Sequence, residues 1–232
     1  MLSFFYFDMN YLLLAVLPGM VLAGWAQSRL RSAYQRGNRQ MASSGLTGAQ
    51  TAQRILDMEG IHNVRVEREP RFLGDHYDPR NKVLRLSPDV YDGRTIASVG
   101  IAAHEVGHAI QDARRYGPLV LRNGMVPLAS TGSSLSMTVL MVGLVIQSSG
   151  LLLLGVGLFS LTVLFQIVNL PVEFDASRRA RAVLVEGRIV APHEDPLVGK
   201  VLNAAALTYV ATTVAAILQL IYFLMRAMES RR

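Results

Sequence analysis

The chain contains no cysteine. A disulfide framework, a thiolate zinc site, an iron–sulfur cluster and a cysteine nucleophile are thereby excluded, and any protein-bound metal must rest on histidine and carboxylate. Charge is scarce as well: Asp, Glu, Lys and Arg make up 17% of the 232 residues, against about 25% in an average soluble domain. The shortage is uneven. No charged side chain occurs from Met9 to Ser28, from Asn123 to Val172 or from Val201 to Met225. What is abundant is apolar: 51% of residues are hydrophobic and the mean hydropathy is +0.30. Such a chain is too apolar for disorder and for an ordinary soluble surface.

A helix crosses a bilayer with about 20 mostly apolar residues. The first and last charge-free stretches therefore hold one span each. The middle one is interrupted by the polar, flexible group Gln147-Ser148-Ser149-Gly150, so it reads as a hairpin of two spans, roughly 126–147 and 150–169. The first stretch is expected to be a retained anchor. Its apolar run after Tyr11 is longer than a signal-peptide core of about 7–15 residues, and no basic residue precedes it. Of the 23 Lys and Arg residues, 15 fall between Ala26 and Arg122 and another 5 between Pro171 and Lys200. The positive-inside rule places both segments in the cytoplasm. Arg226, Arg231 and Arg232 oppose that orientation but are outnumbered. The net charge of +6 does not point to nucleic acid, because no aromatic-interleaved basic patch or nucleic-acid motif accompanies it. Anionic lipid headgroups suit the juxtamembrane Arg29, Arg31, Arg36 and Arg39.

Between the first span and the hairpin, Thr47 and Gln50 have capping-box spacing and Gly60 fits a stop, which predicts a helix of about 48–59. Val64 and Val66 alternate with charged neighbours, and Val83, Leu84 and Leu86 form a second apolar run beyond a turn-rich segment. These predict two or three short strands in a small antiparallel sheet. Ser87-Pro88 reads as a helix start.

From Thr95 to about Arg114 the residues favour helix, and within it lies His104-Glu105-Val106-Gly107-His108, an H-E-x-x-H pattern. Residues four apart stand on one helix face, so both imidazoles can converge on one cation, with Glu105 beside them to take a proton from bound water. Zinc lowers the pKa of such water to about 7. A catalytic zinc typically takes three protein ligands plus water. The other candidates are His62, His76, His193 and the carboxylates. Glu173 is best placed: Pro171 is suited to open a helix, Glu173 would sit in its first turn, and the helix would run to about Glu186 with Gly187 as the stop. A hairpin returns the chain to the face it left, which puts Glu173 on the side of His104 and His108. Ala176 and Ala180 would let this helix approach closely. A carboxylate at a helix amino terminus also has the macrodipole as sufficient reason to be there. Asp175 can orient a ligating imidazole or compete as the ligand, Asp112 lies one turn beyond His108, and His76 sits in a loop able to reach the site as a donor.

The strings Ala103-His104-Glu105-Val106-Gly107-His108-Ala109-Ile110-Gln111, Leu170-Pro171-Val172-Glu173-Phe174-Asp175-Ala176-Ser177-Arg178-Arg179-Ala180 and Asp75-His76-Tyr77-Asp78-Pro79-Arg80 closely resemble the YugP-like membrane zinc metallopeptidases of prokaryotes, over nearly the whole chain. More distantly the chain is similar to the HtpX-like membrane peptidases, whose E-F-x-A-D pattern supplies a glutamate ligand. Here Ser177 stands in place of the final Asp. The resemblance implies His104 and His108 as zinc ligands, Glu173 as the third, Glu105 as the catalytic residue, one zinc ion, and a prokaryotic plasma membrane.

The expected fold is a mainly α integral membrane protein of about four transmembrane helices, with a zincin-type helical site and a small sheet. Its plan is an anchor over 1–28, a cytoplasmic peptidase segment over 29–122, a hairpin over 123–170, a Glu-bearing helix and loop over 171–200, and a last transmembrane helix with its tail over 201–232. The expected activity is a zinc endopeptidase acting on membrane-associated or unfolded polypeptides at the cytoplasmic membrane surface. The apolar part of the motif helix, Ile96 to Ile110, is too short and too polar to span. Substrate is expected to add to a sheet edge near 82–87. The bilayer is an expected partner, as is an accessory membrane subunit or a second copy. The alternative is a zinc-binding scaffold or chaperone that does not cleave. A small transporter is disfavoured by the charge-free spans.

Overall fold

The structure, a computed structural model, describes residues 9–70 and 74–229. The first eight residues of the anchor segment, and Arg231 and Arg232 of the tail, lie outside the described residues. The elements in chain order are α1 (Met9–Asn38), α2 (Gly48–Met58), β1 (Arg65–Arg68), β2 (His76–Asp78), β3 (Val83–Leu86), α3 (Pro88–Tyr91), α4 (Ile96–Ala113), α5 (Gly117–Val145), α6 (Ser149–Glu186) and α7 (Asp195–Glu229). Among the described residues, α1, α5, α6 and α7 are the four helices long and apolar enough to cross a membrane. The chain divides into two compact units: the described residues up to Gln27 with Leu121–Leu170 and those from Thr208 on, and Ser28–Val120 with Pro171–Leu207.

The first unit is built from apolar helices that touch through small residues, as helices do in lipid. A Cβ on Gly19 would lie 3.0 Å from the Cβ of Ala215, and one on Gly155 would lie 2.6 Å from the Leu140 side chain. Tyr11, Tyr222 and Phe223 cluster with ring centroids 4.8–5.5 Å apart. Large apolar side chains such as Leu14, Met20, Val21, Leu128, Leu154, Ile221 and Met225 face outward, the surface a bilayer covers. Within α1, one turn from Leu12 to Val16 is π-helical. Pro18 follows at once, and its ring, which would crowd a carbonyl one turn back, is relieved by the wider turn.

The second unit has a conventional core of Ile55, Leu56, Leu84, Leu86, Ile96, Val99, Val106, Ile110, Leu184 and Ile189. Helix α2 starts as expected: the Thr47 side chain accepts from Gln50 N while the Gln50 side chain accepts from Thr47 N. The sheet has the order β1-β3-β2. It is mixed, not antiparallel. β2 and β3 form the antiparallel hairpin, around a turn in which Asp78 accepts from the backbone of Arg80 and Asn81. β1 takes the remaining edge of β3 and runs parallel to it. Residues 82–87 are consequently no free edge: β3 is the central strand, paired on both sides, with Val83, Leu84 and Leu86 fully buried. Among the described residues the edge strands are β1 and β2.

The largest departure from the sequence reading is α6. Pro171 does not open a new helix but lies inside one continuous helix from Ser149 to Glu186. Interrupting it beside an apolar span would leave several backbone groups unsatisfied, whereas one proline removes a single N–H. The helix ends at Glu186 as expected, but the left-handed residue that closes it is Arg188, not Gly187. Ile189 N donates to Leu184 O at 2.9 Å and Arg188 N to Val185 O at 3.0 Å, the Schellman pattern.

Candidate metal centre

Helix α4 is capped by Thr95, whose side chain accepts from Ser98 N at 3.2 Å. It is buried along most of its length, through Ile96, Val99, Ala102, Ala103, Val106, Ala109 and Ile110. His104 and His108 stand one turn apart, their ring centroids separated by 4.8 Å and their planes nearly perpendicular. Across from them, on α6, Glu173 Oε2 lies 3.3 Å from His104 Nε2 and 3.7 Å from His108 Nε2. One ligand atom of each of the three residues falls within 4.8 Å of the others. All three side chains are 15% exposed or less.

The approach depends on a missing side chain. A Cβ on Gly107 would fall 2.6 Å from Ala176 O, so glycine in α4 lets its backbone lie directly on that of α6. Ala176 and Ala180, both fully buried, are the expected small residues on the other side. Because α6 is continuous through Pro171, Glu173 sits at no helix amino terminus. Macrodipole complementarity therefore does not explain its position; the two imidazoles do.

The donor set fits zinc. Ligands about 2.0–2.1 Å from a tetrahedral ion stand about 3.3–3.4 Å from one another, the scale of the two contacts made by Glu173 Oε2. The electrostatics are also right for a cation. Burial opposes a charged His108, but the Glu173 side chain and the negative charges of Glu105 and Glu173 outweigh it and hold that imidazole above its ordinary pKa. Glu105 is itself buried, at 9% exposure.

Two residues outside the H-E-x-x-H motif meet the far sides of the two imidazoles. Gln111 Oε1 lies 3.1 Å from His108 Nδ1, and its Nε2 donates to Val172 O at 2.8 Å and to Asp175 Oδ2 at 2.9 Å. Ser177 Oγ lies 3.2 Å from His104 Nδ1. Asp175, 4% exposed, also accepts from Arg178 and from Arg179 Nε at 2.6 Å. It therefore stands behind Gln111, outside the His–His–Glu group. Gln111 lies three residues beyond His108 and Ser177 four beyond Glu173, the helical intervals at which a search for supporting polar groups would find them.

Asp112 and His76 have other partners. Asp112 accepts from Tyr77 Oη at 2.7 Å and pairs with Lys82 Nζ at 2.5 Å, fastening the β2–β3 hairpin to α4. Burial and that bond push the Tyr77 hydroxyl well above its ordinary pKa. His76 Nδ1 lies 2.7 Å from Gly74 O, and its Nε2 faces Arg85. Asp75 accepts from Ser87 N and Oγ. The string from Asp75 to Arg80 thus holds the sheet together and onto α4. His62 and His193 are exposed and stand outside the donor group. A cleft of about 400 Å³ runs between α6 and α7, lined by Phe174, Ser177, Arg178, Arg181, Val185 and Asn203 among others. Ser177 thus borders both the cleft and His104.

An H-E-x-x-H helix closed by a buried glutamate from a second helix, in a chain with four membrane-capable helices, defines a membrane protein of the zinc-peptidase class. The comparisons with known proteins agree. The family model described as "Putative neutral zinc metallopeptidase" matches residues 12–228. The chain is 43% identical over 210 residues to the "Putative membrane protease YugP" of Bacillus subtilis (strain 168), covering 90% of this chain and 93% of that protein. The chain belongs to this neutral zinc metallopeptidase family, and membership implies zinc. No solved structure matches it.

Proposed function

We propose that the protein is a zinc-dependent endopeptidase that hydrolyses peptide bonds of membrane-associated or unfolded polypeptides at the cytoplasmic surface of a prokaryotic plasma membrane. The observation that carries the reading is the convergence of His104 Nε2, His108 Nε2 and Glu173 Oε2 at 3.3–3.7 Å, with Glu105 adjacent on the same helix. These three residues would hold a single zinc ion, which would supply Lewis acidity toward a scissile carbonyl and acidity to water. Glu105 accepts the proton from the attacking water and delivers it to the leaving amine nitrogen. Gln111 and Ser177 hold the rings in place, and burial of the donors excludes bulk water from behind them. The cleft beside Ser177 receives part of the bound polypeptide. The excess of Lys and Arg on the segments that carry the donors supports the cytoplasmic orientation, and the outward apolar side chains support a bilayer as the surrounding medium.

Metal analysis of the purified protein, paired with cleavage of unfolded and membrane-tethered polypeptides, tests the reading. Wild type is expected to hold one zinc per chain and to cleave. Glu105→Gln is expected to keep the zinc and lose at least 100-fold in rate, since general acid–base catalysis contributes about 10²–10⁴. Zinc without cleavage in wild type would instead mark a scaffold.

A further inference from the structure

We infer that Gln111, anchored by Asp175, is the positioning residue that fixes the tautomer of His108 and so frees Nε2 for the metal; its consequence for zinc rests on the reading above. Gln111 is fully buried, and its amide offers one acceptor and one two-hydrogen donor group. The donor group meets two acceptors, Val172 O at 2.8 Å and Asp175 Oδ2 at 2.9 Å. Turning the amide over would set its oxygen against those two oxygens, a buried mismatch that costs more than any single hydrogen bond contributes. Oε1 is therefore committed to His108 Nδ1, 3.1 Å away, and an oxygen at that distance accepts. In the neutral ring Nδ1 therefore carries the hydrogen, and the lone pair is left on Nε2, the nitrogen that faces Glu173.

Asp175 in turn is not free to rotate away, because Arg178 and Arg179 hold both of its oxygens. The two ligand imidazoles are consequently unequal. His104 meets the hydroxyl of Ser177, which donates or accepts equally well and selects no tautomer. His108 meets a group with only one answer. An imidazole left to itself favours the hydrogen on Nε2, so without Gln111 the second ligand would present the wrong nitrogen. Through the amide, a buried carboxylate also lends basicity to that ligand, as carboxylates behind zinc-bound histidines do.

The test uses full-length protein in detergent, with ¹⁵N-labelled histidine, metal-free and alkaline enough for neutral imidazoles. His108 is assigned against His108→Asn. Wild-type His108 is expected to carry its hydrogen on Nδ1, and Gln111→Met to move it to Nε2. Zinc affinity of Gln111→Met, measured by chelator competition, is expected to fall about 10–100-fold. Wild-type His108 protonated on Nε2 would overturn the inference. So would a folded Gln111→Met that binds zinc as tightly as wild type. If Gln111→Met does not fold, the wild-type spectrum still decides. Wild type that holds Nδ1–H but binds no zinc would support the tautomer lock and overturn the zinc reading, so the two failures are distinct.

Discussion

Glu173 is the side chain on which the centre closes, because His104 and His108 share one helix and would be within reach of each other in almost any fold. Glu173→Gln keeps the volume and removes the anionic donor. Zinc affinity is expected to fall at least 10-fold by chelator competition, with the helical content unchanged by circular dichroism. A second carboxylate is structural. Glu194, 2% exposed, accepts from Ser43 N at 2.9 Å and Ala191 N at 2.7 Å. Burial alone would raise its pKa, but these bonds and that from the Ser43 hydroxyl outweigh it and hold the carboxyl below its ordinary range. A carboxyl lowered in the folded state adds stability above its unfolded pKa and loses it as pH falls through the folded value. Glu194→Gln is therefore expected to cost about 1.5–3 kcal/mol near neutrality, the worth of hydrogen bonds to a charged group. In thermal unfolding the gap from wild type should narrow as the pH drops below about 4. At this scale the two histidines of the candidate donor group were legible in the sequence because helical spacing alone aligns 104 with 108. Gln111, one turn past His108 on the same helix, shares that spacing, but which polar neighbour meets the ring depends on how the ring is turned; Ser177 reaches His104 only because α4 and α6 cross here.

Helices α4 and α6 meet backbone to backbone at Gly107 and Ala176. Gly107→Ala improves helix propensity by up to about 1 kcal/mol, but its Cβ requires the helices to part, an overpacking cost of about 1–3 kcal/mol. The net expectation is a lower melting temperature together with weaker zinc binding, since the same displacement draws Glu173 from the imidazoles. Unchanged zinc affinity in a folded Gly107→Ala protein would contradict this. Elements with local signals were readable: the capping box of α2, Thr95 before α4, and the polar break between α5 and α6. Two features needed information from elsewhere in the chain. The partner of β1 depends on which edge of β3 the β2 hairpin leaves vacant, and its parallel direction on how the chain crosses between them. The continuity of α6 through Pro171 follows from its apolar surroundings, whereas proline by itself reads as a helix start.

For the molecule as a whole, the three charge-free stretches together with the polar break at 147–150 gave the number of membrane-capable helices, because a bilayer taxes every ionised group along its thickness. Their lengths were less legible, since α5 and α6 extend well beyond the apolar residues that announce them. Orientation can be tested with the absence of cysteine as the tool. Arg65 is on an edge strand with its side chain 72% exposed. In Arg65→Cys, a membrane-impermeant thiol reagent is expected to label inverted vesicles and to spare right-side-out ones. The reverse pattern would place the metal-bearing unit outside the cell.

The three donors come from two helices that the chain joins only by way of the long α5–α6 hairpin. An ion seated among them therefore acts as a clasp on a large loop, adding its binding energy to the seam that Gly107 and Ala176 form by packing. Scarcity of the ion would then not produce intact but idle molecules. It would produce slackened ones, shorter-lived because housekeeping degradation reads local opening, so that the number of copies present would follow the supply of metal.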